Sequence, residues 1–309
     1  MSIPVVVASN GIGLPVRQVE GNAPVMQVAA NGFGLPIVLT PLGAPFVVQG
    51  LGPDIEPISA MYGTQAGQVP MRLQSSQAVM SGENVQSVPN AGGAGTAFSL
   101  IAGTTAITRT ADGKAMDLTP EEWLRFNNVA STAGPDLMNT TVFIVAAVTL
   151  GGVDQYFMGN GNPQANVWLV ADGTQMRFNR SNPTTSTFET VTVTLSPAVE
   201  VGIRTYEIEF TPGTPAANGQ TTGGVINVRV NGVMRGSAPH PYPEFRVWNF
   251  SAGQNPVNGN GLRAQVYDTL SIIRGGAHDT RVPAIRQQLL SLYPEPVAPA
   301  MTGGSMTIA

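Results

Sequence analysis

Two residues in this chain have the types and spacing for bond cleavage. Glu207 and Glu209 lie two apart in Tyr206-Glu-Ile-Glu-Phe210, which on a strand sets both carboxylates on one face about 6.6 Å apart. That falls inside the roughly 5 to 9.5 Å that paired acids use to cut a glycosidic bond. The same alternation also explains them without catalysis. If Tyr206, Ile208 and Phe210 turn inward, the two glutamates face solvent. The denser acid clusters of glucanase strands are absent, so no enzyme is expected.

Other chemistry has little material. There is no cysteine, and the two histidines are His240 and His278, which excludes disulfides and thiolate sites and leaves almost nothing for triads or His-ligated metals. His278-Asp279 reads as a helix start, with Asp279 or Thr280 near its N-terminus. His240, within Pro239-His-Pro-Tyr-Pro243, reads as a rigid loop residue.

Two loops suit recognition instead. One holds Asp154, Tyr156, Asn160, Asn162 and Asn166; the other holds Trp248, Asn249, Asn255, Asn258 and Asn260. Aromatic faces stack on sugar rings, and planar amides or carboxylates bond their hydroxyls. Each Asn alone also reads as a turn former, so the loops are candidates as groups. Asp154, Asn160 and Asn162 offer hard oxygens, but one carboxylate among three does not make a tight calcium site. No metal and no cofactor is expected. Trp168, inside an apolar strand, reads as core.

The elements that must position these residues follow from composition. Charged residues make up 11% of the 309, against roughly 25% in an average soluble protein. Gly (36) and Pro (25) are abundant, while the apolar fraction is an ordinary 42%. That combination reads as all-β. The net charge of −4, with Lys114 the only lysine, excludes a nucleic-acid footprint. The apolar run from Val142 to Leu150 is about half the roughly 20 residues a membrane helix needs, so no membrane insertion is expected. The opening Met1-Ser-Ile-Pro lacks the basic start and apolar stretch of a signal peptide, which predicts a soluble product made in the cytoplasm.

Residues 1–53 repeat a turn followed by one proline-led strand: IPVVVA, LPVRQV, APVMQV, LPIVLT and APFVVQ, led by Pro4, Pro15, Pro24, Pro36 and Pro45. Asn10-Gly-Ile-Gly-Leu-Pro15 is echoed by Asn31-Gly-Phe-Gly-Leu-Pro36. Proline starts strands or sits at edges, and Asn-Gly suits tight turns. Strands this short and this apolar hide their edges only by stacking with other copies, which predicts an oligomerising region. Residues 54–96 turn rich in Gln, Ser and Gly and read as a linker or stalk. Residues 97–294 show strand after strand at sandwich spacing, with hairpins turning at Asp172-Gly173 and Asn231-Gly232. Two helices are predicted, one from the capping box Thr119-Pro-Glu-Glu122, the other from Val282 to Tyr293 with the stripe Val282, Ile285, Leu289, Leu292. Residues 295–309 read as a mobile tail.

With Ile226–Ser237 (INVRVNGVMRGS), Ala264–Gly276 (AQVYDTLSIIRGG) and Asp279–Pro294 (DTRVPAIRQQLLSLYP), residues 97–294 resemble the concanavalin A-like (laminin G-like) lectin sandwiches. The NGxGxPV repeats resemble those that open virion proteins of tailed phages and gene transfer agents. Together the resemblances imply an all-β chain: an N-terminal short-strand oligomerising repeat region, then a concanavalin A-like jelly-roll sandwich with a short C-terminal helix. They imply a head spike or fibre on the surface of a phage-like particle, synthesised in the bacterial cytoplasm. Its partners would be other capsid or tail proteins through the N-terminus and host-cell polysaccharide through the sandwich. The oligomer would be a trimer, as phage fibres commonly are, or a pentamer at a capsid vertex. The alternatives are a capsid or tail decoration that binds no sugar, or a polysaccharide-degrading enzyme.

Overall fold

The computed structural model describes residues 56–102, 107–126, 135–159, 165–182, 185–247, 249–250, 261–276 and 278–294, with the backbone of 26–27 and 37–38. The chain divides after Glu56 into two units. In the first, β1 (Met26–Gln27) pairs antiparallel with β2 (Ile37–Val38), Met26 opposite Val38. These strands belong to consecutive proline-led repeats, so neighbouring repeats pair within one chain. The other repeats and the tail lie outside the described residues.

From Pro57 onward the chain is an antiparallel sandwich. Its first part supplies β3 (Met71–Gln74), β4 (Val79–Ser81), β5 (Asn84–Val88), β6 (Leu100–Ala102), β7 (Thr108–Arg109), β8 (Met116–Leu118) and β9 (Leu124–Phe126). Next come β10 (Thr140–Val148), β11 (Gln155–Gly159), β12 (Ala165–Leu169), β13 (Gln175–Ser181), β14 (Phe188–Thr194) and β15 (Ile203–Thr211). The small pair β16 (Thr214–Pro215) and β17 (Thr221–Thr222) precedes β18 (Gly224–Val230), β19 (Val233–His240), β20 (Asn249–Phe250), β21 (Ala264–Ile273) and the helix α1 (His278–Leu292).

The back sheet runs β19-β18-β15-β10-β21, and β3 and β8 share the far edge of β21. The front sheet runs β14-β13-β12-β11-β20-β9-β6-β5. Alternation decides the core. Val142, Ile144, Tyr206, Ile208, Ile226 and Val228 from the back meet Phe157, Val167, Met176, Phe178 and Val193 from the front. The opposite face of β10 and β21 is also apolar, through Phe143, Val145, Leu270 and Ile272. Helix α1 covers it with Val282, Ile285 and Leu289, assisted by Ile58, Met61 and Val69. The all-β sandwich with a closing C-terminal helix is thus as the sequence predicts. Leu292, the fourth residue of the predicted stripe, lies outside that contact and is 58% exposed where the helix ends.

Residues 57–96, which composition reads as a linker, are part of the sandwich. β3 pairs with β21, and Arg72 holds the buried Asp268 at 2.8 Å. Val85 and Val88 are buried in the main core. The glycines there serve close approach: a Cβ on Gly93 would collide with the backbone of Gly63, and one on Gly92 with that of Pro70. The predicted helix at Thr119–Glu122 is a single turn. Half of the capping box forms, the Glu122 carboxylate accepting Thr119 N–H at 2.7 Å, while Glu122 N–H closes the turn on the Thr119 carbonyl at 3.0 Å. Leu124 and Phe126 then alternate into the core as β9, and sheet pairing overrides the helix start.

Candidate functional site

Because Val167, Leu169, Met176, Phe178, Val191 and Val193 point into the core, the residues between them form the outer face of the front sheet. Register sets two rows across it. Tyr156 lies beside Trp168, Trp168 beside Arg177, and Arg177 beside Thr192; the next row is Asn166, Asn179 and Thr190. The rings of Tyr156 and Trp168 stack with centroids 5.4 Å apart and planes 16° apart. Arg177 places Nε and Nη2 at 3.1 and 2.9 Å from Gln175 Oε1, which fixes its guanidinium on the sheet face. Asn166 Nδ2 donates to Asn179 Oδ1 at 2.8 Å. Burial, then the charge of Asp154, raises the Tyr156 hydroxyl above its ordinary range, with Arg177 opposing. The phenol therefore keeps its proton as a donor. A half-buried aromatic, a guanidinium, amides and two exposed threonines make a ribbon suited to stacking on a ring and bonding its hydroxyls.

Of the residues singled out from sequence, Tyr156 and Asn166 share this face. Asp154 precedes it, its Oδ1 accepting Ala171 N–H at 3.0 Å. Asn166 and Asn249 are 2% and 4% exposed, sheet residues and not loop-displayed amides. Asn249 lies in β20, opposite Arg125 and Gly159. Trp168 is 7% exposed, buried as its strand context predicts. Asn160, Asn162, Trp248, Asn255, Asn258 and Asn260 lie outside the described residues. Arg177, Asn179, Thr190 and Thr192 were missed. Their signal was the alternation in Gln-Met-Arg-Phe-Asn and Thr-Val-Thr-Val-Thr, whose polar half is a surface in its own right.

The carboxylate pair is placed otherwise than expected. Glu207 and Glu209 do leave the main core, but α1 lies over that face. Glu207 is 1% exposed and is gripped by Arg286 at 2.6 and 2.7 Å, with Arg229 at 3.3 Å. Glu209 pairs with Arg274 and with Arg229 at 3.4 Å, and accepts from Asn227 at 3.2 Å. Burial pushes the Glu209 carboxyl up, but the bonds from Asn227, Arg274 and Arg229 outweigh it and leave it below the usual range. A general acid needs the reverse.

Neither histidine is set for catalysis. His240 ends β19 and is not in a loop, with Nε2 at 2.9 Å from the Thr211 carbonyl and Nδ1 accepting Tyr242 N–H at 3.1 Å. His278 starts α1, its Nε2 at 2.9 Å from Thr141 Oγ1. Among the described residues no three His, Asp or Glu side chains gather where a metal would bind. No described helix is long and apolar enough to cross a membrane.

No protein-family model matches the chain, and no curated protein matches it in sequence. Among solved structures, the botulinum neurotoxin serotype D binding domain is 11% identical with a TM-score of 0.46, over 72% of this chain and 52% of that one. This chain thus spans about half the length of that domain. Domain 4 of AbnA, a GH43 extracellular arabinanase from Geobacillus stearothermophilus in complex with arabinotriose, is 11% identical over 70% of this chain and 97% of that one, at a TM-score of 0.42. The CBM40 of Ruminococcus gnavus IT-sialidase, bound to α2,3-sialyllactose, is 9% identical over 55% of this chain and 95% of that one, at 0.37. Likeness at this level says nothing about what this chain binds.

Proposed function

We propose that the unit from Pro57 onward is a carbohydrate-recognition head that binds an extended surface polysaccharide without cleaving it. The observation that carries this is the row Tyr156, Trp168, Arg177 and Thr192 on the outer face of the front sheet, flanked by Asn179 and Thr190. Tyr156, Arg177, Asn179, Thr190 and Thr192 are the members that keep exposure, with Trp168 and Asn166 buried behind them, and these exposed groups are the ones a sugar chain would meet. The acid pair with the spacing for hydrolysis, Glu207 and Glu209, is tied to three arginines beneath a helix, which supports binding over cleavage.

The head belongs, in this reading, to a spike or fibre of a phage-like particle. Residues 1–53 assemble the copies and attach them, and the heads adsorb the particle to the host. Single sugar contacts are weak, and several heads on one spike raise effective affinity by roughly 10²–10⁴ where geometry allows joint engagement. The test is a pull-down of host capsular polysaccharides by the full-length chain and by Tyr156→Ala. Retention by the first and loss by the second is expected; equal retention would remove the sheet face as the site.

A second reading keeps the particle but not the sugar. Trp168, Asn166 and Asn249 are buried, and a decoration protein needs that face only for packing. Failure of the full-length chain to retain any host polysaccharide would favour it.

A further inference from the structure

Helix α1 leaves part of the back sheet open. Its inward residues meet Phe143, Val145, Leu270 and Ile272, and at the other end of these strands Asp117, Gln265 and Ala147 stand side by side on the same outer face. Here lies a groove of about 350 Å³, bordered also by Arg263, Thr149 and Val201. Ala147 and the 69% exposed Val201 give it an apolar side.

Its polar groups are uncommitted. Asp117 and Arg263 are exposed, and among the described residues neither side chain makes a hydrogen bond or an ion pair. The Tyr267 hydroxyl donates to Gln265 Oε1 at 3.3 Å, and among the described residues the Gln265 amide hydrogens have no partner. Asp117 lies opposite Gln265, two positions from Arg263. Such a diagonal separates Cα atoms by about 7–8 Å, yet the opposite charges do not close on each other. A guanidinium grips a carboxylate with two parallel bonds, and a carboxylate accepts from sugar hydroxyls.

We propose that this groove is a second carbohydrate subsite, selective for a sugar unit that carries a carboxylate. The acid group would meet Arg263, ring hydroxyls would meet Asp117 and Gln265, and the apolar side of the ring would lie on Ala147 and Val201. This rests on the glycan-binding reading for the class of ligand, but it uses a separate surface.

The experiment titrates the full-length chain with methyl β-D-glucuronide and with its neutral counterpart methyl β-D-glucoside, followed by saturation-transfer NMR. The glucuronide should bind about tenfold tighter, the usual scale of one charge-assisted contact. Arg263→Gln should erase that preference and Asp117→Asn should weaken both sugars, while Tyr156→Ala should leave the glucuronide unchanged. Both altered groove residues are exposed and unpartnered, so the variants fold. Equal binding of the two sugars, a preference that survives Arg263→Gln, or glucuronide binding that vanishes with Tyr156→Ala would each overturn the subsite. So would a lack of glucuronide binding in a chain that still retains polysaccharide through Tyr156, and the sheet-face reading would then stand alone.

Discussion

Arg286, on the last helix, holds both carboxylate oxygens of Glu207, in the middle of the back sheet, at 2.6 and 2.7 Å. The pair ties an outer element to a central strand through a face that alternation alone would hand to solvent. Removing one partner strands a buried charge, which commonly costs about 3–5 kcal/mol. Arg286 keeps some exposure and Arg229 also reaches Glu207, so Arg286→Met should cost about 3 kcal/mol in urea unfolding. Adding Glu207→Gln should recover part of it. A single variant as stable as the parent would mean that the helix is held by its apolar stripe alone.

Both histidines respond to pH in one direction. Burial holds His240 and His278 below the ordinary histidine range, with the Thr211 bond opposing at the first and Asp279 at the second. Unfolded histidine takes its proton near the ordinary value of about 6.5, while the folded groups take theirs at lower pH. Stability is therefore full above that value and is lost as pH falls from it through the lowered folded values. Glu209, also lowered, adds a loss in the more acidic carboxylate range. Urea midpoints between pH 7.5 and 5 should fall, and His278→Gln should flatten the slope. A midpoint that rises on acidification would contradict the buried neutral histidines.

The compact unit that holds the sandwich begins at Pro57 and not at Ala97. A chain starting at residue 57 should be a folded monomer, by light scattering and circular dichroism. One starting at residue 97 loses Met71, Leu73, Val85 and Val88 from the core and should aggregate. An oligomeric 57–309 chain would show that the repeats are not what joins the copies.

Gly93 tests the same segment with a single methyl group. Its added Cβ would strike the Gly63 backbone, so Gly93→Ala should cost about 1–3 kcal/mol, the usual range for overpacking. A flexible linker would accept the change without loss.

At the proposed sugar face, Tyr156→Ala should lower polysaccharide affinity about tenfold, as truncating an aromatic anchor commonly does. The thermal midpoint should move little, because Tyr156 stacks on Trp168 from the outside and leaves the core intact. Arg177→Gln should weaken binding less and make it less sensitive to salt.

What the sequence showed plainly was local. Asn231-Gly232 turns with φ of 51° and 78°, the positive pair that a two-residue hairpin needs. Asp172-Gly173 makes a similarly short turn, and the helix stripe docks through Val282, Ile285 and Leu289. Residues 57–96 were misread because their strands carry one or two apolar residues each, and glycines placed for close backbone approach look the same in composition as glycines placed for freedom. Glu207 and Glu209 were misread for another reason. Period-two alternation tells which face a side chain takes, but not whether a later helix covers that face. Arg177 and Asn179 were overlooked for a simpler reason: they are the polar half of an alternating strand, and they line up with Trp168 and Asn166 only once the register of neighbouring strands is known.

β21 is the last strand among the described residues, yet it sits between β10 on one side and β3 with β8 on the other. A polypeptide cut short before β21 leaves β10, β3 and β8 without the strand they share, so the back sheet stays split until that segment is in place.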